Sequence, residues 1–232
     1  MDDLRPATRF DIAATAALLA EPARVAMLSA LMDGEARPAT ELARLARVSP
    51  STGSAHLAML VRGGLLRVER LGRHRYHRLA SETAARAFEN LALLSPCPRA
   101  STGAGAESTG FRQARTCYRH LAGLLGVRLV DALLQRRLLA RSEGAFRLTP
   151  AGRRTIEQLG LLEGDLPTLS GTPCLDWTER RDHVAGPLGV ALTKGFVERA
   201  WLRPRSGTRA LRVTVDGAHG FREAFGVIAE VG

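Results

Sequence analysis

The chain has 232 residues, 45% of them hydrophobic and 24% charged, the balance of a globular protein long enough for one large or two small domains. Cys97, Cys117 and Cys174 are too few, and odd in number, for a disulfide framework; no run of about eighteen apolar residues offers a membrane span, and Met1 to Arg9 lacks the apolar stretch of a signal peptide, so a cytoplasmic protein is expected. The formal net charge of +10 favours a polyanionic partner, although Lys194 is the only lysine and an arginine-rich genomic background produces the same skew.

Asp11 reads as the entry to a first helix carrying Ile12, Leu18 and Leu19. Pro22 suits the first turn of a second, in which Val25, Leu28, Leu31 and Met32 recur at helical spacing until Gly34 stops it. A third starts at Thr40 with Leu42 and Leu45 inward, and Arg47-Val48-Ser49 makes a short turn. Ser49 is a good N-cap for a fourth helix, Pro50 to about Arg62, with Leu57, Leu60 and Val61 as its buried stripe. Near its N-terminal end, Ser51, Thr52, Ser54, Ala55 and His56 are the candidate base contacts. A major-groove helix needs little bulk, hydrogen-bonding groups and backbone N–H near phosphate.

Gly63 and Gly64 end that helix, and LLRVERLGRHRYHRL (65–79) follows as two strands turning at Leu71-Gly72. Arg70, Arg73, His74, Arg75, His77 and Arg78 load the tip and the returning strand, as a phosphate and minor-groove device requires, with Arg70, Arg73, His74 and Arg75 the candidate contacts. The bland alternative, a solvated basic hairpin, loses ground because a helix-turn-helix pattern immediately precedes it.

These residues resemble the ArsR/SmtB group of winged-helix repressors. The matching phrases are Pro22-x-Arg24, Glu41-Leu42-Ala43, Ser54-x-His56-Leu57-x-x-Leu60, Gly64-Leu65-Leu66 and Gly72-Arg73 with Tyr76. The resemblance implies a homodimer on double-stranded operator DNA, with interface helices around Asp11 to Leu19 and Ser81 to Leu94, and release or altered binding by an effector. It does not carry over the family's metal ligands: Glu41 to Val48 holds no cysteine and Ser81 to Leu94 no histidine.

The expected division is a winged helix-turn-helix domain at 8–94, a linker at 95–110 rich in Pro, Gly, Ser and Thr, and a C-terminal sensing domain at 111–232. The last contains an internal repeat (114–161 and 173–228). His120, Ala122, Gly123, Leu125, Gly126 and Val127 recur as His183, Ala185, Gly186, Leu188, Gly189 and Val190. FRLTPAG (146–152) likewise recurs as LRVTVDG (211–217). The expected fold is mainly α with small β-hairpin wings, each C-terminal repeat being helix, hairpin, helix. The Leu148 to Gly152 phrase also resembles the wing region of MarR- or PadR-like proteins, with Arg203, Arg205 and Arg209 at the corresponding tip.

Within the repeat, Cys117 and His120 are read on one helix face, and Cys174 precedes His183. Two thiolates and two imidazoles can hold zinc or a softer ion, the alternatives being ordinary buried side chains or redox sensing by Cys117 near Arg119 and His120. Tyr118, Trp177, Arg180, Arg181 and Trp201 are instead candidates for a small-molecule pocket, or for Trp201 simple core filling. A ligand- or stress-responsive transcriptional regulator is the leading reading. A non-regulatory nucleic-acid-binding protein is second. An enzyme is last, because no paired carboxylates, phosphate loop or nucleophile elbow occur and only Cys174, Asp176 and His183 are candidates.

Overall fold

The computed structural model describes residues 11–96, 109–162 and 169–232; Cys97 and most of the expected 95–110 linker lie outside them. The chain separates into two compact units, the first running through Ala87 and the second taking over at Phe88.

The first unit contains α1 (Ile12–Leu19), α2 (Pro22–Ala30), β1 (Arg37–Pro38), α3 (Ala39–Leu45), α4 (Pro50–Arg62), β2 (Leu66–Leu71) and β3 (His74–Leu79), and α5 (Glu82–Leu94) begins in it. Local chemistry explains the boundaries. The Asp11 carboxylate accepts from the Ala14 N–H at the start of α1, and the Ser49 hydroxyl accepts from the Thr52 N–H at the start of α4, with Pro50 in the first turn. Buried Arg24 donates to the carbonyls of Ala17 and Leu18 and so closes the open end of α1. Met27, Leu28, Leu31, Met32, Leu42, Leu57 and Leu60 form the core; Val25 and Leu45, expected inward, are only half-buried. β2 and β3 pair antiparallel around Gly72-Arg73, and β1 adds a third strand that the sequence pattern did not signal, pairing Arg37 with His77 and Pro38 with Tyr76.

The second unit starts with the end of α5 and α6 (Thr109–Gln113), so Thr109 and Gly110, read as linker, are helical. Then come β4 (Arg115–Cys117), β5 (His120–Ala122), α7 (Gly123–Gln135), β6 (Leu139–Ser142), β7 (Ala145–Leu148) and α8 (Pro150–Gln158). The same order follows in β8 (Ser170–Leu175), β9 (Asp182–Ala185), α9 (Gly186–Glu198), β10 (Leu202–Pro204), β11 (Leu211–Val213) and α10 (Val215–Phe225). Each repeat therefore contains the expected helix, hairpin, helix and opens with a further hairpin ahead of its central helix. In the first repeat the added strands are three residues each and His120 to Ala122 is buried throughout, so they show no apolar–polar alternation and merge into the following helical run. The shared Leu-Thr and Val-Thr phrases are helix caps: Thr149 and Thr214 accept from the N–H groups of Gly152 and Gly217. β6, β7, β8 and β9 form one antiparallel sheet, which joins the two repeats. Leu125, Leu129, Leu188, Leu192 and Phe196 bring α7 and α9 into a common core, and Trp201 stacks on Phe196 with its ring also against Phe221 and Phe225.

The crossing of α3 and α4 depends on Gly53. A Cβ there would lie 2.6 Å from the Ala43 Cβ, so even one methyl must push the two helices apart. Gly53→Ala is expected to destabilise the protein by about 1–3 kcal/mol, read as a lower midpoint in thermal unfolding; an unchanged midpoint would contradict the close-packed crossing.

Candidate functional site

On α4, Ser51, Thr52, Ser54 and Ala55 are exposed. The Ser49 hydroxyl lies 2.9 Å from that of Ser51 and 2.8 Å from that of Thr52, so the first turn presents a small linked set of donors and acceptors. His56 is placed differently from the rest. It is half-buried with Nδ1 3.4 Å from Arg24 Nη1, its ring turned toward α2.

The wing carries a more telling feature. Arg70 and Arg75 are direct cross-strand partners, and Arg73 and His74 stand beside them at the turn, all exposed. Like charges directly opposite each other destabilise a strand pair. Glu69 is engaged lower down by Arg67 and Arg78, and among the described residues Arg70, Arg73 and Arg75 have no acidic partner. The tip is thus a concentration of uncompensated positive charge.

A second constellation lies in the C-terminal unit. Cys117 and His120 are not on one helix face. They are opposed across β4 and β5, with Tyr118 at φ +60° in the tight turn between them. Cys174 and His183 are opposed in the same way across β8 and β9, with six more residues between them than between Cys117 and His120. The four ligand atoms all lie within 4.8 Å of one another, and the two histidine Nε2 atoms are 3.1 Å apart. The donor set fits a metal ion. The repeated glycines make the approach possible: a Cβ at Gly126 would lie 2.8 Å from Leu121 O and 3.5 Å from the His183 Cβ, and one at Gly189 would lie 2.1 Å from Val184 O and 3.2 Å from the His120 Cβ. Each repeat's helix therefore makes room for the other repeat's histidine. These glycines and histidines recur in both copies of the repeat, and the hairpin geometry gives the reason.

Asp176 organises the surroundings. Its carboxylate accepts from Arg115 Nη2 at 2.6 Å, the Gly123 N–H at 2.8 Å, and the N–H and hydroxyl of Thr178, and its Oδ2 lies 3.5 Å from His183 Nδ1. Burial would push this carboxyl up, but Arg115, the Gly123 N–H, Thr178 and His183 together outweigh it and bring it down to about 2. Contact with Cys174 and burial push the Cys117 thiol up to about 11, against the pull of His120 and His183. Cys174 is lowered by the hydrogen bond from Cys117, so it is the thiol that ionises first. Arg115 had no sequence signal; a buried arginine is recognisable only through its partner.

Beside the cluster is a cavity of about 280 Å³ lined by residues that include Tyr118, Trp177, Cys117 and Cys174 from the repeats and Glu89, Asn90 and Leu93 from α5. Of the residues considered for a small-molecule pocket, Tyr118 and Trp177 line it, whereas Trp201 fills the core. Arg180 donates to the carbonyls of Ala92, Leu93 and Ser95, and Arg181 pairs with Asp131. Arg203 is exposed within β10 opposite Arg212, Arg205 is exposed in the β10–β11 turn, and Arg209 pairs with Glu89.

Helices α3 and α4 followed by the β2–β3 hairpin define a winged helix-turn-helix protein, a DNA-binding class. A family model described as a helix-turn-helix domain matches residues 19–69. The HTH-type transcriptional regulator YdfF of Bacillus subtilis (strain 168) is 38% identical over 221 residues, which span 94% of this chain and 98% of that relative. The chain belongs to this family of helix-turn-helix transcriptional regulators. Among solved structures it is similar to the homodimeric winged helix-turn-helix DNA-binding domain Mb0332 of Mycobacterium bovis, a possible ArsR-family regulator (29% identity, 38% of this chain, 89% of that one, TM-score 0.34). It is also similar to the cadmium metal-sensor CMTR of Mycobacterium tuberculosis (32% identity, 40% of this chain, 98% of that one, TM-score 0.31). Among the described residues no single helix is long and apolar enough to cross a membrane.

Removing the Asp176 carboxylate would strand the guanidinium of Arg115, which is 1% exposed. Asp176→Ala is expected to cost about 3–5 kcal/mol in denaturant unfolding, and Asp176→Asn less, since the amide oxygen still accepts; equal and small effects would contradict the buried ion pair.

Proposed function

We propose that the protein is a sequence-specific, double-stranded DNA-binding repressor of the ArsR/SmtB kind. It acts in the cytoplasm as a homodimer and carries no catalytic step. Ser51, Thr52, Ser54 and Ala55 at the head of α4 supply base contacts, and Arg70, Arg73, His74 and Arg75 supply phosphate and minor-groove contacts. His56 serves better as the link that orients α4 on Arg24 than as a base contact. The observation that carries the reading is the wing tip, where Arg70 faces Arg75 with Arg73 between them and no acidic partner among the described residues. Such an arrangement is costly in isolation and favourable against a polyanion.

The C-terminal unit takes up an effector and biases two dimer geometries, only one of which spans successive major grooves. Its Cys/His group supports a metal ion, with zinc the best match to two thiols and two imidazoles, as the cofactor belonging to this function. A non-regulatory, architectural role is the second reading and predicts little sequence selectivity.

Arg73→Ala is expected to weaken binding to the protein's own promoter DNA and to random duplex alike, and to lower the slope of log affinity against log salt by about 1. Ser54→Ala is expected to change discrimination between the two by about 1–3 kcal/mol while leaving random-duplex affinity intact. Equal loss on both duplexes for the Ser54 variant, measured by fluorescence anisotropy, would remove Ser54 from base reading.

A further inference from the structure

Four side chains of the second unit meet at a point that DNA reading does not use. Two opposed strand pairs each contribute one thiol and one imidazole, and all four ligand atoms fall within 4.8 Å. Two His Nε2 atoms 3.1 Å apart share one hydrogen bond and the Cys117 thiol contacts Cys174, while His183 Nδ1 is buried with no hydrogen-bond partner among the described residues. Around a single ion with bonds of about 2.0–2.3 Å, tetrahedral donors lie about 3.3–3.8 Å apart, so the group needs only a slight adjustment to enclose one.

Three neighbouring features fit such an ion. His183 presents Nε2 to the cluster, and its Nδ1 lies 3.5 Å from the Asp176 carboxylate without a hydrogen bond, so a small ring rotation would complete the carboxylate–histidine pair that orients a metal-bound imidazole. Gly126 and Gly189, the counterparts in the two repeats, are the positions that leave room for His183 and His120. The cavity lined by Cys117, Cys174 and His183 gives a path for the ion to enter and for the two thiol protons to leave to solvent. With two sulfur and two nitrogen donors and no oxygen donor, the group selects thiophilic ions over magnesium or calcium.

The connection between Cys174 and His183 does a second job. Within it the Asp176 N–H donates to Arg181 O and the Arg180 N–H to Asp176 O, a compact loop that fixes Arg180. The Arg180 guanidinium then donates to the carbonyls of Leu93 at 2.6 Å and of Ala92 and Ser95 at 2.7 Å, capping the C-terminal end of α5. Trp177 of the same loop meets Phe88 edge-on at 6.3 Å. Both ends of this loop are candidate ligands, and its middle holds the helix that begins in the first unit.

We infer that Cys117, His120, Cys174 and His183 bind one thiophilic divalent ion such as zinc per chain, and that this ion, by fixing the Cys174–His183 hairpin, sets the hold of Arg180 on α5. The inference deepens the effector reading and rests on it for its regulatory meaning. Metal loading locks the two already opposed hairpins and steadies the loop, so the last turns of α5 stay helical; metal loss loosens the loop and lets that end of α5 fray.

The full-length chain, reduced and stripped with a chelator, is titrated with Co²⁺ and then with Zn²⁺. One Co²⁺ per chain is expected, with a near-ultraviolet thiolate charge-transfer band and the strong visible bands of four-coordination, all displaced by Zn²⁺. Cys174→Ser is expected to weaken Co²⁺ binding by about 100-fold. Hydrogen exchange at the amides of residues 88–94 is expected to slow about 10-fold on Zn²⁺ loading. Arg180→Ala should bind the ion at the same stoichiometry yet lose that slowing. Absence of stoichiometric Co²⁺ binding by the reduced wild-type chain, a spectrum without the thiolate band, or a ready Cys117–Cys174 disulfide with no ion bound would overturn the site. The wild-type spectrum decides this even where a cysteine variant folds poorly. Ion binding with unchanged exchange in α5, or with the slowing kept in Arg180→Ala, would overturn the coupling. No readout uses DNA, so failure here and failure of the DNA-reading function are told apart.

Discussion

One carboxylate determines how the C-terminal unit holds together. Asp176 lies 1% exposed at the start of the β8–β9 connection and gathers groups from four places in the chain: Arg115 on β4, the first N–H of α7, its own loop, and His183 on β9. The partners are what make a buried charge tolerable, because an unpaired carboxylate at that depth would protonate or force the structure open. Because Arg115 precedes Cys117 by two residues and Gly123 follows His120 by three, satisfying Asp176 also brings the first hairpin against the second. The thiol–imidazole group is a consequence of that closure.

The same residue begins the loop that reaches α5. That helix starts at Glu82 in one compact unit and ends at Leu94 in the other, so it is a physical link of chain between them. Its end is held by Arg180, Trp177 and the Glu89–Arg209 ion pair, all anchored in the repeats. In the account proposed here, DNA reading belongs to α4 and the wing, sensing belongs to the paired hairpins, and α5 carries the one to the other.

The N-terminal unit was largely legible because its signals are local. Ser49 as a cap, Pro50 in the first turn, the 3.6-residue spacing of Leu57 and Leu60, and Gly72 at the wing turn each act within a few residues. β1 was not legible, since Arg37-Pro38 becomes a strand only by pairing with β3. In the C-terminal unit the repeat was visible as recurring letters, but its opening hairpins were not: β4 and β5 are three residues each, and Gly123 follows without a polar break. That is why Cys117 and His120 read as helical neighbours when they are cross-strand partners. The choice of Cys117, His120, Cys174 and His183 came from donor chemistry and repetition, whereas Asp176 and Arg115 are long-range partners, 61 residues apart, with nothing local to mark either.

In the proposed function, the exposed head of α4 and its arginine-tipped wing enter duplex DNA at a defined sequence. Hydroxyl-radical footprinting of the full-length protein on its own promoter DNA tests this most directly. The account predicts two protected half-sites related by a two-fold axis, about 10–10.5 base pairs apart centre to centre or a multiple of that, with flanking minor-groove protection where the wings lie. Uniform coating of the duplex, or no protection at low salt, would contradict it.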